Sequence, residues 1–293
     1  MTDLARRSIE ELLVRYELEP TLDDVFVEGD FDKEVLNAAF LGSGLPEPAI
    51  YDIDSVEVPM SLLSSYGLSV GNKQRVIALS RELSKLQGEI SQLCLVDKDL
   101  DHWFGDLESN KAIRWTTHAS IDMHFFSEKH LRDILLVACK ARIDDFPTFL
   151  ISLRTVLLDL YALRLADREL EWKLRWHSPS SCLSKNGSSV LFDLNIFSDR
   201  VLQANNKFKR KAEFERSLTN WKSKLVIDCR QCIRGHDFVD VLVWASKSFR
   251  GVREICSETA VGRLLIVLAR GDANIREELL RTQNVQTITR LAT

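Results

Sequence analysis

The sequence predicts an α/β fold in which a mostly parallel sheet with helices on both faces is followed by a mainly helical second half. Three observations carry that prediction. Residues 25–27 (Val-Phe-Val) and 93–96 (Leu-Cys-Leu-Val) are apolar runs too short for a helix and too continuous for a strand with one wet face, so they read as fully buried parallel strands. Up to residue 100 the periodicity alternates helix with strand, the pattern of right-handed crossover connections. From residue 127 onward the apolar residues recur at helical spacing.

Taken in order, residues 2–18 place Leu4, Ile9, Leu12, Leu13 and Tyr16 on one helical face behind Thr2 as the expected cap. The first strand stops at Glu28, and Gly29 is expected to supply a sharp turn before Asp30 or Asp32 caps a helix over 32–40. Gly42 and Gly44 end that helix, and Pro46 and Pro48 prevent its resumption. Residues 49–58 alternate as a single strand, with Asp52 and Asp54 on a solvent face or at the strand end. An amphipathic helix over 71–86 leads through Gly88 into the strand ending at Val96, and residues 112–126 give a short strand and a turn. Helices are expected over 127–142, 146–168, 193–204 and 211–232, with a polar, Ser-rich connection at 168–190 and two or three more helices in the last sixty residues. The organisation expected is an N-terminal helix (1–20), an α/β domain (21–125) and a helical domain (126–293).

Composition sets bounds. At 293 residues and 45% hydrophobic the chain can bury a substantial core, and no apolar run approaches the roughly 20 residues that cross a bilayer. Its start reads as an amphipathic helix, not a signal sequence, and six cysteines without regular spacing fit a reducing cytoplasm. A net charge of −4 makes no global demand for nucleic acid, so any such contact must be local. The one candidate face is 207–234, with nine Lys or Arg against three acids, Arg210 and Lys211 among them; the alternative is an ordinary solvated helix face.

The chemistry concentrates at the ends of the two buried strands. Open parallel sheets bind ligands at the carboxyl edge, where Glu28, Asp97 and Asp99 would lie if the strands are neighbours. Carboxylates so close repel unless a cation neutralises them, and an all-oxygen donor set suits Mg²⁺ or Mn²⁺. Other chemistries fit poorly. No Walker loop or nucleophile elbow is present, and Cys229, Cys232 and His236 lack a second pair to complete a zinc site.

Glu-Gly after a first strand, followed by Asp-x-Asp after a later one, resembles the acid pattern of TOPRIM domains. The longer form, Val27-Glu28-Gly29 with Asp32 and Val96-Asp97 with Asp99, is similar to a narrower TOPRIM nuclease family that includes the effector subunits of PARIS anti-phage defence systems. Thr116 or Thr117, Ser120, Ile121, Phe125 and Phe126 match a later segment of that family, with Asp122 where its glutamate stands. Gly235-His236-Asp237 matches a further element near its end. The resemblance implies a Rossmann-like TOPRIM sheet, metal held by Glu28, Asp97 and Asp99, and outer roles for Asp32 and Asp122; Asp101, which lies beyond the family's Asp-x-Asp, is a further candidate outer ligand. His236 and Asp237 would orient or polarise a phosphate, or else form a structural cap; Lys98 and, from the basic stretch, Arg210 and Lys211 are the candidates for substrate contact or support. It further implies a toxic endonuclease that acts as a homodimer on host tRNA once an ATPase subunit releases it. An OLD-type DNA nuclease and a non-catalytic binding subunit are the alternatives.

Overall fold

The computed structural model describes residues 6–225 and 228–279, which divide into two compact units, one of residues 6–117 with 266–279 and one of 118–265. In the first unit a two-residue strand β1 (Arg7–Ser8) runs into helix α1 (Ile9–Leu18). Ser8 caps α1, its hydroxyl accepting from the Glu11 amide while the Glu11 carboxylate accepts from the Ser8 amide, so two otherwise orphaned donors are satisfied. The expected cap, Thr2, lies outside the described residues. Ile9, Leu12 and Tyr16 form the buried stripe of α1 and join the core of the sheet.

The chain continues through β2 (Asp24–Val27), α2 (Asp30–Phe40), β3 (Ala49–Asp52), β4 (Val56–Glu57), α3 (Met60–Ser65), α4 (Asn72–Leu83), β5 (Leu93–Val96) and β6 (Ile113–Trp115). Strands β2, β3, β5 and β6 form a wholly parallel sheet in the order β3-β2-β5-β6. All four residues of β2 and of β5 are buried, which is why both read as continuous apolar runs. The strand expected over 49–58 is interrupted by a tight turn at Ile53–Ser55; the part after it leaves this sheet and pairs with β1. Arg75 fastens that turn by donating to the carbonyls of Ile53 and Val56 and pairing with Asp54, while Asp52 pairs with Lys33 at 2.9 Å. Gly29 does cap α2, but in an extended conformation open to any residue, and no aspartate side chain caps that helix.

Asp24, at the start of β2, is 2% exposed. The Tyr16 hydroxyl donates to it at 2.8 Å and Arg15 lies 3.5 Å away. Burial, followed by the neighbouring Asp24 charge, pushes the Tyr16 phenol well above its ordinary pKa, so it stays a donor throughout the working range. Tyr16→Phe is therefore expected to cost about 1.5–3 kcal/mol, read as a lowered urea midpoint, because a buried carboxylate loses its shortest partner. An unchanged midpoint would show that Arg15 alone satisfies Asp24.

The second unit is mainly helical. It contains α5 (Glu128–Arg132), α6 (Phe146–Glu169), a hairpin of β7 (Leu183–Asn186) and β8 (Ser189–Phe192), α7 (Leu194–Ala204), α8 (Lys211–Lys224) and α9 (Gly235–Ser248); α10 (Glu258–Ala269) straddles the boundary back to the first unit. The 24-residue α6 is about 36 Å long. Asp145 caps it and Pro147 sits in its first turn, where no amide donor is needed; Phe149, Leu153, Val156, Leu160 and Leu163 fill the core along its length. The helix expected over 127–142 ends earlier, as α5 passes into a π-helical turn at Asp133–Ala138. Likewise α8 stops at Lys224, so Cys229 and Cys232 do not share its face. Among the described residues no helix is long and apolar enough to cross a membrane.

Two stretches singled out in the sequence meet inside this unit. A Cβ on Gly235, the first residue of α9, would fall 2.0 Å from Asp122 Oδ2 and 3.1 Å from Ser120 Oγ. Glycine is needed there for close approach, and the Asp122 carboxylate lies at the positive end of the α9 dipole. Gly235→Ala is expected to lower stability by about 1–2 kcal/mol. The same change should cost almost nothing in an Asp122→Ala background; equal costs in both backgrounds would disprove the contact as the cause.

Candidate functional site

The strand order β3-β2-β5-β6 reverses direction between β2 and β5: α2 carries the chain outward to β3, and the later strands build on the other side. Such a switch point leaves a crevice at the carboxyl ends of the two central strands. The next residues are Glu28 after β2 and Asp97 after β5.

Glu28 is only partly exposed, and its Oε1 accepts from the Asp97 amide at 3.0 Å. Burial is the main cause that pushes its carboxyl up to about 7; Asp99 and Asp101 add to the rise, while Lys73 and the Asp97 amide oppose it. The loop from Asp97 turns at Asp99, which has a φ of +45°, a left-handed conformation that aspartate tolerates better than most residues. Thr116 holds this loop from β6: its amide donates to the Val96 carbonyl at 2.9 Å, and its hydroxyl accepts from the Lys98 amide at 3.3 Å.

Lys73, in the first turn of α4, reaches into the acids. Its Nζ lies 3.0 Å from Asp99 Oδ2 and 2.6 Å from Asp101 Oδ2, and 5.6 Å from the centre of the Trp115 ring. Its side chain is 16% exposed. Burial works to lower its pKa, yet Asp99, Asp101 and Glu28 together outweigh burial and hold it above the ordinary lysine value. The neighbouring Asn72 donates from Nδ2 to the Glu28 carbonyl at 2.9 Å, tying the start of α4 to the end of β2.

Of the residues expected at the site, Glu28, the Asp97 amide, Asp99 and Asp101 are thus gathered at one sheet edge. Asp32 occupies the first turn of α2, where its charge suits the helix dipole. Lys98 is directed to the loop after β6, donating from Nζ to the Thr117 carbonyl at 2.9 Å. Asp122 is engaged with Ser120 and Gly235 within the helical unit. Asp237 is 4% exposed and paired with Arg164 at 2.8 Å, whereas His236 is exposed, so these neighbours do not act as one dyad. Arg210 is held by Glu213 at 2.7 Å, and Lys211 by Asp199 at 2.6 Å and Glu215 at 3.5 Å, so both of these charges are met internally.

Lys73 and Asn72 are the contributors absent from the sequence-based expectations, whereas Thr116 is one of the two threonines they named. The available signal was Gly71-Asn72-Lys73, a polar entry to the helix that feeds the Asp-x-Asp strand.

A metal would find only oxygen donors here, the donor set of Mg²⁺ or Mn²⁺. Among the described residues no three His, Cys, Asp or Glu side chains are arranged as a ready-made metal cage. The acids close instead on the ammonium of Lys73, a cation standing in their midst. The donors fit a hard divalent ion by chemistry. What fold and site define is an α/β protein with an acid-rich carboxyl edge at its switch point. No protein-family model matches the chain, and no curated protein does.

Proposed function

We propose that this chain is a metal-dependent endonuclease of the TOPRIM class, acting as the toxic effector of a PARIS-type anti-phage defence system. Its substrate is host tRNA, its restraint an ATPase subunit of the same system, its active form a homodimer and its compartment the cytoplasm. The observation that carries the chemistry is the meeting of Glu28, the Asp97 amide, Asp99 and Asp101 at the switch point between β2 and β5. The defence context rests on the motif resemblance.

Asp97 and Asp99 would hold the ion, with Asp101 behind them, and Glu28 would either share it or take the proton from the nucleophile. A bound Mg²⁺ supplies charge neutralisation at the phosphoryl oxygen and the leaving group. The protein's own part is acid–base and positional. Glu28 Oε1 is fixed by the Asp97 amide; where Glu28 stands off the ion, its carboxyl, raised to about 7, is matched to taking a proton from an attacking hydroxyl near neutral pH. Thr116 and Asn72 fix the backbones on which the acids ride.

Incubating the purified chain and Mg²⁺ with total tRNA and, separately, with plasmid tests the reading. Cleavage of tRNA that EDTA abolishes and Glu28→Gln loses is the expected result. Cleavage of plasmid alone would replace it with an OLD-type DNA nuclease. Cleavage of neither, after any co-purifying ATPase subunit has been removed, would leave a binding subunit.

A further inference from the structure

We propose that the Lys73 ammonium holds one of two cation positions in the acid cluster, so that the centre takes a single divalent ion beside a tethered lysine in place of a metal pair. This deepens the metal-dependent reading above and rests on it. The geometry has three parts. Asp99 and Asp101 both turn an Oδ2 toward Nζ, at 3.0 and 2.6 Å, so the ammonium bridges two carboxylates as the second ion of a two-metal centre would. Glu28 Oε1 instead accepts from the Asp97 amide, which leaves the Asp97 side of the cluster for an ion. Finally, Lys73 is not a surface side chain that happened to find an acid. It is 16% exposed, rises from the first turn of α4 and lies over the Trp115 ring, so its position is built into the fold.

Lys73→Met keeps the stem and removes the charge, and Mn²⁺ is the probe. Manganese binding, followed by calorimetry and by the loss of free-ion electron paramagnetic resonance signal, should give one ion per wild-type chain. The variant should take a second ion or bind the first at least about tenfold more tightly. Melting adds a readout independent of activity. In EDTA the variant should melt several degrees below wild type, because its acids have lost their counter-charge. Saturating Mg²⁺ should then raise the variant by about 3 °C more than it raises wild type. Two ions on both proteins, or one ion on both with equal affinity and equal Mg²⁺ shifts, would overturn the proposal for Lys73 while leaving the metal-dependent reading intact. Binding to neither protein would remove that reading and this proposal with it.

Discussion

Glu28→Gln is expected to lower Mg²⁺-dependent cleavage by at least about 100-fold while leaving the fold intact, since general acid–base groups contribute factors of this order. Glutamine keeps an acceptor for the Asp97 amide, so the join between β2 and β5 survives. Stability should move in the opposite direction from activity. The folded protein holds a proton on Glu28 up to about pH 7, against an ordinary value near 4.5, so the folded state binds the more protons between these limits. The contribution of Glu28 to stability is then fully present below about 4.5 and is lost as the pH rises through about 7. In EDTA the Gln variant, which has nothing to ionise, should gain on wild type across that window by about 2–3 kcal/mol before solvent screening reduces it. Urea unfolding at pH 4.5 and pH 8 measures the difference. Parallel stability profiles for the two proteins would mean that the Glu28 carboxyl is solvated like a surface group.

How much of this was legible in the sequence depends on how local the determinant is. The buried strands were legible because a strand covered on both faces must be apolar at every position, as residues 25–27 and 93–96 are. Their adjacency could only be posed as a condition, since pairing between residues about seventy positions apart leaves no trace in either segment. The hairpin β7–β8 was missed because its strands are Ser-rich and mostly exposed. Its signal was the two-residue Gly187-Ser188 loop, with Gly187 at φ +56° as a tight hairpin turn requires. Lys73 was hidden for another reason. A lysine in the first turn of a helix is usually a solvated charge, and only the three-dimensional approach of α4 to the loop after β5 turns it into the counter-ion of Asp99 and Asp101. In the same way Arg210 and Lys211 read as available charge until Glu213, Asp199 and Glu215 come into reach.

Asp237→Ala should produce the largest loss of stability of any single change considered, about 3–5 kcal/mol, seen as a collapse of the urea midpoint. The reason is what remains behind. Arg164 lies in the last third of α6, its guanidinium 4.2 Å from the centre of the Trp176 ring and 2.8 Å from Asp237 Oδ1. Burial is the main influence on Arg164 and holds its pKa below the usual arginine value; Asp237 works against it and Arg234 with it. Even so, a guanidinium does not deprotonate in a protein, so removing Asp237 leaves a buried charge with Arg234 nearby and only the weaker influence of Asp167 to offset it. The pair is costly to break and much less costly to omit. Arg164→Met together with Asp237→Ala should recover most of the loss, because methionine can lie along the Trp176 ring without needing a counter-ion. This pairing also separates two meanings of the Gly-His-Asp element. If Asp237 only anchors α9 to α6, the double variant should regain stability and, once folded, retain cleavage. If the double variant folds as well as wild type yet no longer cleaves, Asp237 is more than an anchor, and its carboxylate has a part in the chemistry that a structural ion pair does not explain.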